Sequence, residues 1–176
     1  MTTVRPIADQ NELDQVLALQ RRNLARSLDP EEVASQGFVT VEHTLDLLRK
    51  MHAISPSIAA FDGKTLAGYA LVMPPECRTF IPVLVPMFER LDQLGARGYY
   101  IMGQICIDKP FRGRGLFDEL YAAHKRYLSG EYRSCITEVA VRNGRSMSAH
   151  LRVGFTVIDR YRDATDEWAL LEWRWG

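Results

Sequence analysis

Residues 104–127 read Gln-Ile-Cys-Ile-Asp-Lys-Pro-Phe-Arg-Gly-Arg-Gly-Leu-Phe-Asp-Glu-Leu-Tyr-Ala-Ala-His-Lys-Arg-Tyr. The stretch begins as a buried strand over 104–107, turns through Arg112-Gly113-Arg114-Gly115, and continues as an amphipathic helix starting near Gly115. A glycine turn feeding a helix is a device for holding an anion. The first N–H groups of a helix lack partners inside it and point outward, where the helix dipole also favours negative charge. Without a Cβ, Gly113 and Gly115 let the backbone bend tightly and approach a ligand. Arg112 and Arg114 add positive charge on either side. The same residues also fit an ordinary strand-to-helix turn carrying two solvated arginines.

Working outward towards the N-terminus, residues 99–107 have strand composition. Residues 74–95 before them break the pattern, because Pro74, Pro75, Pro82 and Pro86 rule out a central strand. Leu84, Met87, Phe88, Leu91 and Leu94 suggest a short helix with Pro86 near its start. This apolar insertion suits a lid or substrate wall, a packing flap, or a contact for a homodimer alike. Further back, Asp62-Gly63 between two apolar runs (57–61 and 65–73) is a strong hairpin signal. Gly68 in the second strand marks a bulge or a close backbone approach. Before the hairpin, helical patterns begin near Glu12, at Pro30 behind the cap Asp29, and over 41–51, preceded by a strand at 2–7. His43 and His52 have no acidic or cysteine partner at ligand spacing and read as packing or surface residues.

Towards the C-terminus, Leu116, Leu120 and Tyr127 form one helical stripe, with Phe117, Tyr121 and Leu128 beside it. A strand over 134–141 carries Glu138 as an ionisable group in an apolar run. The turn Arg142-Asn143-Gly144 leads into a short helix over 146–153, stopped by Gly154, and two strands close the chain at 155–161 and 167–175. In the last strand Ala169, Leu171, Trp173 and Trp175 share one face, so the tryptophans read as core and edge cover. The order is βααββ, insertion, βαβαββ. It implies one α/β (α+β) domain over 1–176, with a mixed, mostly antiparallel twisted sheet of about seven strands flanked by helices.

Composition narrows the function. The chain has 176 residues, 25% of them charged, with a formal net charge of zero, which fits a folded domain and disfavours general nucleic-acid binding. Three cysteines without C-x-x-C spacing suggest neither a zinc nor a dithiol site, and no metal is expected. The opening Met-Thr-Thr-Val-Arg-Pro lacks the apolar core of a secretion signal, and the insertion is too short for a membrane span. A cytoplasmic protein with no membrane partner is the expectation. The P-loop pattern fails for want of Lys-Ser/Thr after the glycines, and the dinucleotide fingerprint fails at Asp118.

The turn resembles the acetyl-CoA motif of the GNAT superfamily of N-acetyltransferases, Arg/Gln-x-x-Gly-x-Gly/Ala, at Arg112-Gly113-Arg114-Gly115-Leu116-Phe117. Phe117 departs from the small residue usually found last. A second pattern of the superfamily, Asn-x-x-Ala/Ser-x-x-x-Tyr-x-x-x-Gly-Phe, is matched in spacing by Asn143, Ser146, His150, Gly154 and Phe155, with His150 in place of the tyrosine. The resemblance implies acetyl transfer from acetyl-CoA to the amine of a small molecule or peptide by direct attack on the thioester. It implies that the 112–117 amides hold the CoA pyrophosphate and that the strand Ile105-Cys106-Ile107 bonds the pantetheine chain. Asn143 and Ser146 then sit beside the CoA arm, and His150 replaces the tyrosine that serves as general acid. Glu138 is the candidate general base, its alternative being a salt bridge or an exposed strand carboxylate; Glu76 and Tyr99 are weaker candidates. A GNAT-like module that binds acyl-CoA without turnover is the rival reading. The cleft walls offer Tyr99, Tyr100, Phe80, Trp168, Glu76 and Glu42, and the acceptor itself is not readable.

Overall fold

The computed structural model describes residues 1–36 and 38–176. Seven strands form one sheet in the order β1-β2-β3-β4-β5-β7-β6: β1 (Thr2–Pro6), β2 (Ile58–Asp62), β3 (Thr65–Met73), β4 (Tyr99–Ile107), β5 (Ser134–Ala140), β6 (Thr156–Arg162) and β7 (Glu167–Arg174). Every neighbouring pair is antiparallel except β4 and β5, which run parallel.

Among the described residues, three α-helices separate β1 from β2, one more than the order βααββ implies: α1 (Gln10–Asn23), α2 (Pro30–Gln36) and α3 (Leu45–Ile54). Their starts follow from capping chemistry. Asp9 accepts the Glu12 N–H at 3.1 Å, Asp29 the Glu32 N–H at 2.8 Å, and Thr44 the Leu47 N–H at 3.2 Å. The third helix therefore begins at Leu45, later than the pattern over 41–51 suggests, because the threonine hydroxyl and not the apolar run sets its first turn.

Leu13, Val16 and Leu17 of α1 and Leu48 and Met51 of α3 pack on one face of the sheet against Phe61, Tyr69 and Leu71. The 74–95 insertion joins them. Its helix α4 (Val85–Gln93) buries Met87, Phe88 and Leu91 in the same core, which contributes roughly 1.5–3 kcal/mol per side chain. The insertion is thus a packing element. Helices α5 (Leu116–Leu128) and α6 (Gly144–Val153) cover the other face, where Leu116, Leu120, Tyr121 and Leu128 meet Met102, Val139 and Leu171. The expected stripe is rotated slightly: Tyr127 is 46% exposed, and His124 takes the buried position. His124 accepts the Tyr100 hydroxyl at 2.7 Å, so Tyr100 is a core residue and not a cleft wall.

Two irregularities shape the centre of the sheet. Between its pairings with Val72 and Ala70, β4 carries one residue more than β3, a bulge that re-aims the strand. Beyond it β4 and β5 pair for only three rungs, Tyr99–Ser134, Tyr100–Cys135 and Ile101–Ile136. The Thr137 hydroxyl then caps the Met102 carbonyl at 2.9 Å. Past this point the strands lie side by side without a ladder, and the sheet opens in its middle.

Candidate functional site

The opening between β4 and β5 is the floor of a cleft of about 470 Å³. Ile105, Cys106 and Ile107 of β4 line it on one side; Asn143, Ser146 and Ala149 of the α6 segment line it on the other. Arg112, Gly113, Gly115, Leu116 and Phe117 close its end. Candidate residues scattered over 42 positions of sequence therefore converge on one cavity, since 105 and 146 bracket a strand–helix–strand crossover.

Gly113 and Gly115 have φ of +74° and +81°, the left-handed region that residues with a Cβ rarely occupy. This bend leaves the N–H groups of residues 113–117 without an acceptor among the described residues; the first amide to find one is Asp118, bonded to the Gly115 carbonyl at 3.1 Å. Five successive free donors at the positive end of a thirteen-residue helix have the chemistry that suits an anion such as a diphosphate. Nothing lies within 4 Å of where a Cβ would stand on either glycine, so the space above the turn is open to a ligand. These features fit the pyrophosphate of CoA.

The two arginines divide. Arg114 stands over the Phe111 ring at the turn's exposed side. Arg112 is only 17% exposed in its side chain and its guanidinium is taken up inside the protein. It donates to the Ile107 carbonyl at 3.1 Å, to Asn23 Oδ1 at 2.6 Å and to Glu32 Oε1 at 3.2 Å. The expected role of Arg112 as a helper of the anion is corrected: it is a clasp joining the end of β4 to α1 and α2.

The clasp belongs to a strap. Its described parts are residues 30–36 and 38–41, of which Phe38 and Val39 line the cleft. On the far side the strap meets the β5–α6 turn, where Arg142 stacks over Phe38 at 4.6 Å and Arg145 donates to the Ser35 carbonyl at 3.3 Å. Its inner end is fixed from below. Gln104 donates to the Val41 carbonyl at 2.9 Å while its Oε1 accepts from Gln20 at 2.8 Å and from the Tyr69 hydroxyl at 2.6 Å. His43 completes this buried network through Gln20. Gln104 is thus a structural acceptor and donor at the heart of the site.

Asn143 caps α6, its Oδ1 accepting the Ser146 N–H at 3.2 Å. Phe117 turns back between the helices, its ring 5.2 Å from both Tyr121 and His150. The bulk that departs from the motif thus fills a gap beside His150, while the backbone of the turn stays clear. His150 is 1% exposed, boxed by Phe117, Tyr121 and Phe155. Its Nδ1 lies 2.7 Å from the Ser146 carbonyl, which can only accept, so the proton is on Nδ1 and Nε2 carries a lone pair. Burial pushes the imidazole down to about 4, and Nε2, itself buried, has no partner among the described residues. The imidazolium expected as a proton donor is therefore not the form this box favours near neutrality.

A smaller chamber continues the cleft past the strap, lined by Val41, Gln104, Glu138, His150 and Trp168. Glu138 Oε2 accepts a hydrogen bond from the Tyr161 hydroxyl. Burial pushes the Glu138 carboxyl up to about 7, opposed by that bond. The remaining wall candidates lie elsewhere. Tyr99 is buried in the α4 core and Phe80 packs against it, while Glu42 pairs with Arg26. Glu76 does not line the cleft or chamber. Trp168 does line the chamber, so that tryptophan is more than edge cover. Cys106 lines the cleft with its thiol pushed up to about 12 by burial, unsuited to act as a nucleophile. Asn23, Phe38 and Tyr161 carry no motif and reach the site only through the fold. Among the described residues, no group of three His, Cys, Asp or Glu side chains could hold a metal ion, and no helix is long and apolar enough to cross a membrane.

No family model matches the sequence, and no curated protein matches it. Solved structures do match in fold. An acetyltransferase of the GNAT family from Streptococcus pneumoniae aligns over 100% of both chains at TM-score 0.66 and 16% identity. The chain has the GNAT fold. Other solved structures agree: the GNAT-like sheet also matches yncA from Salmonella typhimurium, solved with its cofactor acetyl-CoA, at TM-score 0.66 and 14% identity over 99% of this chain and 94% of that one. A chain of the NatC complex bound to Gag peptide and CoA aligns at TM-score 0.69 and 13% identity, covering 99% of each. At these identities the likeness concerns the GNAT fold, and residue roles rest on the geometry above.

Proposed function

We propose that the protein is an acetyl-CoA-dependent N-acetyltransferase, with the acetyl donor entering under the strap from the glycine-turn side and the amine from the Glu138 side. The observation that carries this is the row of five unpartnered amides at the α5 start, opening onto a cleft that leads through the β4–β5 parting to an ionisable half-buried carboxyl. That one structure of similar fold was solved with acetyl-CoA and another with CoA supports the same donor.

In the chemistry proposed, the amine nitrogen attacks the thioester carbonyl; a C–N bond forms and the C–S bond breaks. Glu138, ionised about half the time near pH 7, takes the proton the amine loses. That proton balances the one the departing thiolate needs, directly or through water. His150, neutral and with Nε2 buried in its aromatic box, serves this reading as packing beside the chamber and not as a proton donor. Val41 and Trp168 on the chamber wall suit an amine on an apolar or aromatic stem, whether a small molecule or a peptide.

A thiol-release assay with acetyl-CoA and a panel of small, peptide and aminoglycoside amines tests the reading. Release above the amine-free rate, lost in Glu138→Gln, is expected. Tight acetyl-CoA binding with no release on any amine would instead mark a GNAT-like binding module.

A further inference from the structure

Glu138 sits on β5, a strand whose other edge is paired along its length with β7, so its backbone is fixed. Its carboxyl is held from one direction only. The Tyr161 hydroxyl on β6 reaches Oε2, while Oε1 has no hydrogen-bond partner among the described residues and is not sealed from solvent. Tyr161 is itself half-buried against the α4 side of the core. Its phenol is pushed up by burial and by the adjacent Glu138, so it keeps its proton and donates.

The other charged or titratable groups around the pair are accounted for. His150 of α6 lines the same chamber but is neutral, boxed and bonded to Ser146. Asp159, two residues before Tyr161, is bridged by Arg90 of α4 at 2.6 Å. Asp163, two residues after it, is tied to Thr165 and the Asp166 amide. Among the described residues, none of these contacts Glu138, and no cation pairs with it. The single donor from Tyr161 is what orients this carboxyl.

We propose that Tyr161 is the positioning residue of the acceptor site: by holding Oε2 it turns Oε1 of Glu138 towards the chamber as the atom that meets the amine. This rests on the reading of Glu138 as the base. It also gives the β6–β7 hairpin, which contributes no motif residue, a part in the chemistry. In the step proposed, the amine N–H proton passes to Oε1, the Tyr161 O–H stays intact, and its bond to Oε2 persists in both forms of the carboxyl.

The test is a titration followed by carboxyl carbon NMR on protein labelled at the glutamate side chain, with Glu138→Gln used to assign the Glu138 signal. In the wild type that signal is expected to titrate near 7. Losing a hydrogen bond to the charged form moves a carboxyl up, so in Tyr161→Phe the midpoint should rise by about one unit or more. Tyr161→Gln, which still offers an N–H donor, should fall between. On any amine that supports thiol release, the acid limb of the rate should move with the NMR midpoint. A wild-type Glu138 midpoint near the ordinary 4.5 would overturn the reading of Glu138 and the proposal with it. A midpoint near 7 that Tyr161→Phe leaves unmoved would keep Glu138 and overturn the role of Tyr161. Should the Phe variant not fold, Tyr161→Gln compared with Tyr161→Leu makes the same distinction.

Discussion

Arg112 donates to Asn23 Oδ1 at 2.6 Å, and through that bond the glycine turn after β4 is pinned to the last turn of α1. With Ile107 and Glu32 as further acceptors, the guanidinium uses its fork in three directions, which a lysine ammonium cannot reproduce in one geometry. Arg112→Lys and Arg112→Ala should each cost about 1.5–3 kcal/mol, a charge-assisted hydrogen bond's worth. For a chain of this size that lowers the thermal midpoint by roughly 3–12 °C. Thermal denaturation followed by circular dichroism checks it; an unchanged midpoint would mean that the clasp contributes nothing.

A pair of glycine variants separates strain from charge at the cradle. Gly115 has φ +81°, so Gly115→Ala and Gly115→Glu both force a Cβ into the left-handed region, at about 1–2 kcal/mol. Neither meets a neighbour within 4 Å of that Cβ. Only the glutamate adds a negative charge beside the free amides. Addition of CoA should therefore still raise the midpoint of the alanine variant and leave the glutamate variant unmoved.

Gly68 lies where β3 passes β4. A Cβ there would stand 2.9 Å from the Cys106 carbonyl, a backbone atom that cannot move without shifting the floor of the cleft. Gly68→Ala should destabilise by about 1–3 kcal/mol and also weaken CoA binding, read by calorimetry. A stability loss with unchanged affinity would show that β4 takes up the strain away from the cleft.

Acid should unfold this protein through its histidines. Burial pushes His43 and His150 down to about 4 and His124 to about 3, from the ordinary 6.5. Each contributes stability that is complete above 6.5 and is lost as pH falls towards its folded value, because the unfolded chain binds the proton first. Glu138 works the other way: held near 7 against an ordinary 4.5, it binds its proton first in the folded state. Between pH 5 and 6 the net uptake on unfolding is about two protons, or roughly 2.7 kcal/mol lost per pH unit of acidification. Urea midpoints measured across that interval check the slope. Histidine nitrogen NMR should also find His150 as the neutral Nδ1–H tautomer throughout.

The legible parts of the fold and site were those written locally. The cap residue Asp29, the Asp62-Gly63 hairpin and the glycines of the turn each act within a few residues of chain, so their chemistry is visible in order. Asn143 and His150 were visible as positions, but not in their states. The protonation of His150 depends on Phe117, Tyr121 and Phe155, which only the packing of α5, α6 and β6 brings round it. Arg112 looked like a free cation because its partners Asn23 and Glu32 lie 89 and 80 residues away. Tyr161 had no signal at all: it sits in an edge strand among charged neighbours, and only the order β5-β7-β6 sets it across from Glu138. The insertion was ambiguous for the opposite reason, since its apolar residues suit any buried surface.

The most direct measurement is a crystal structure of the protein grown with CoA. The diphosphate should lie on the amides of residues 113–117, the pantetheine chain should run along Ile105 and Ile107 beneath Phe38, and the sulfur should end at the Glu138 chamber. CoA bound with its diphosphate elsewhere, or its sulfur pointing away from that chamber, would contradict the proposed transfer.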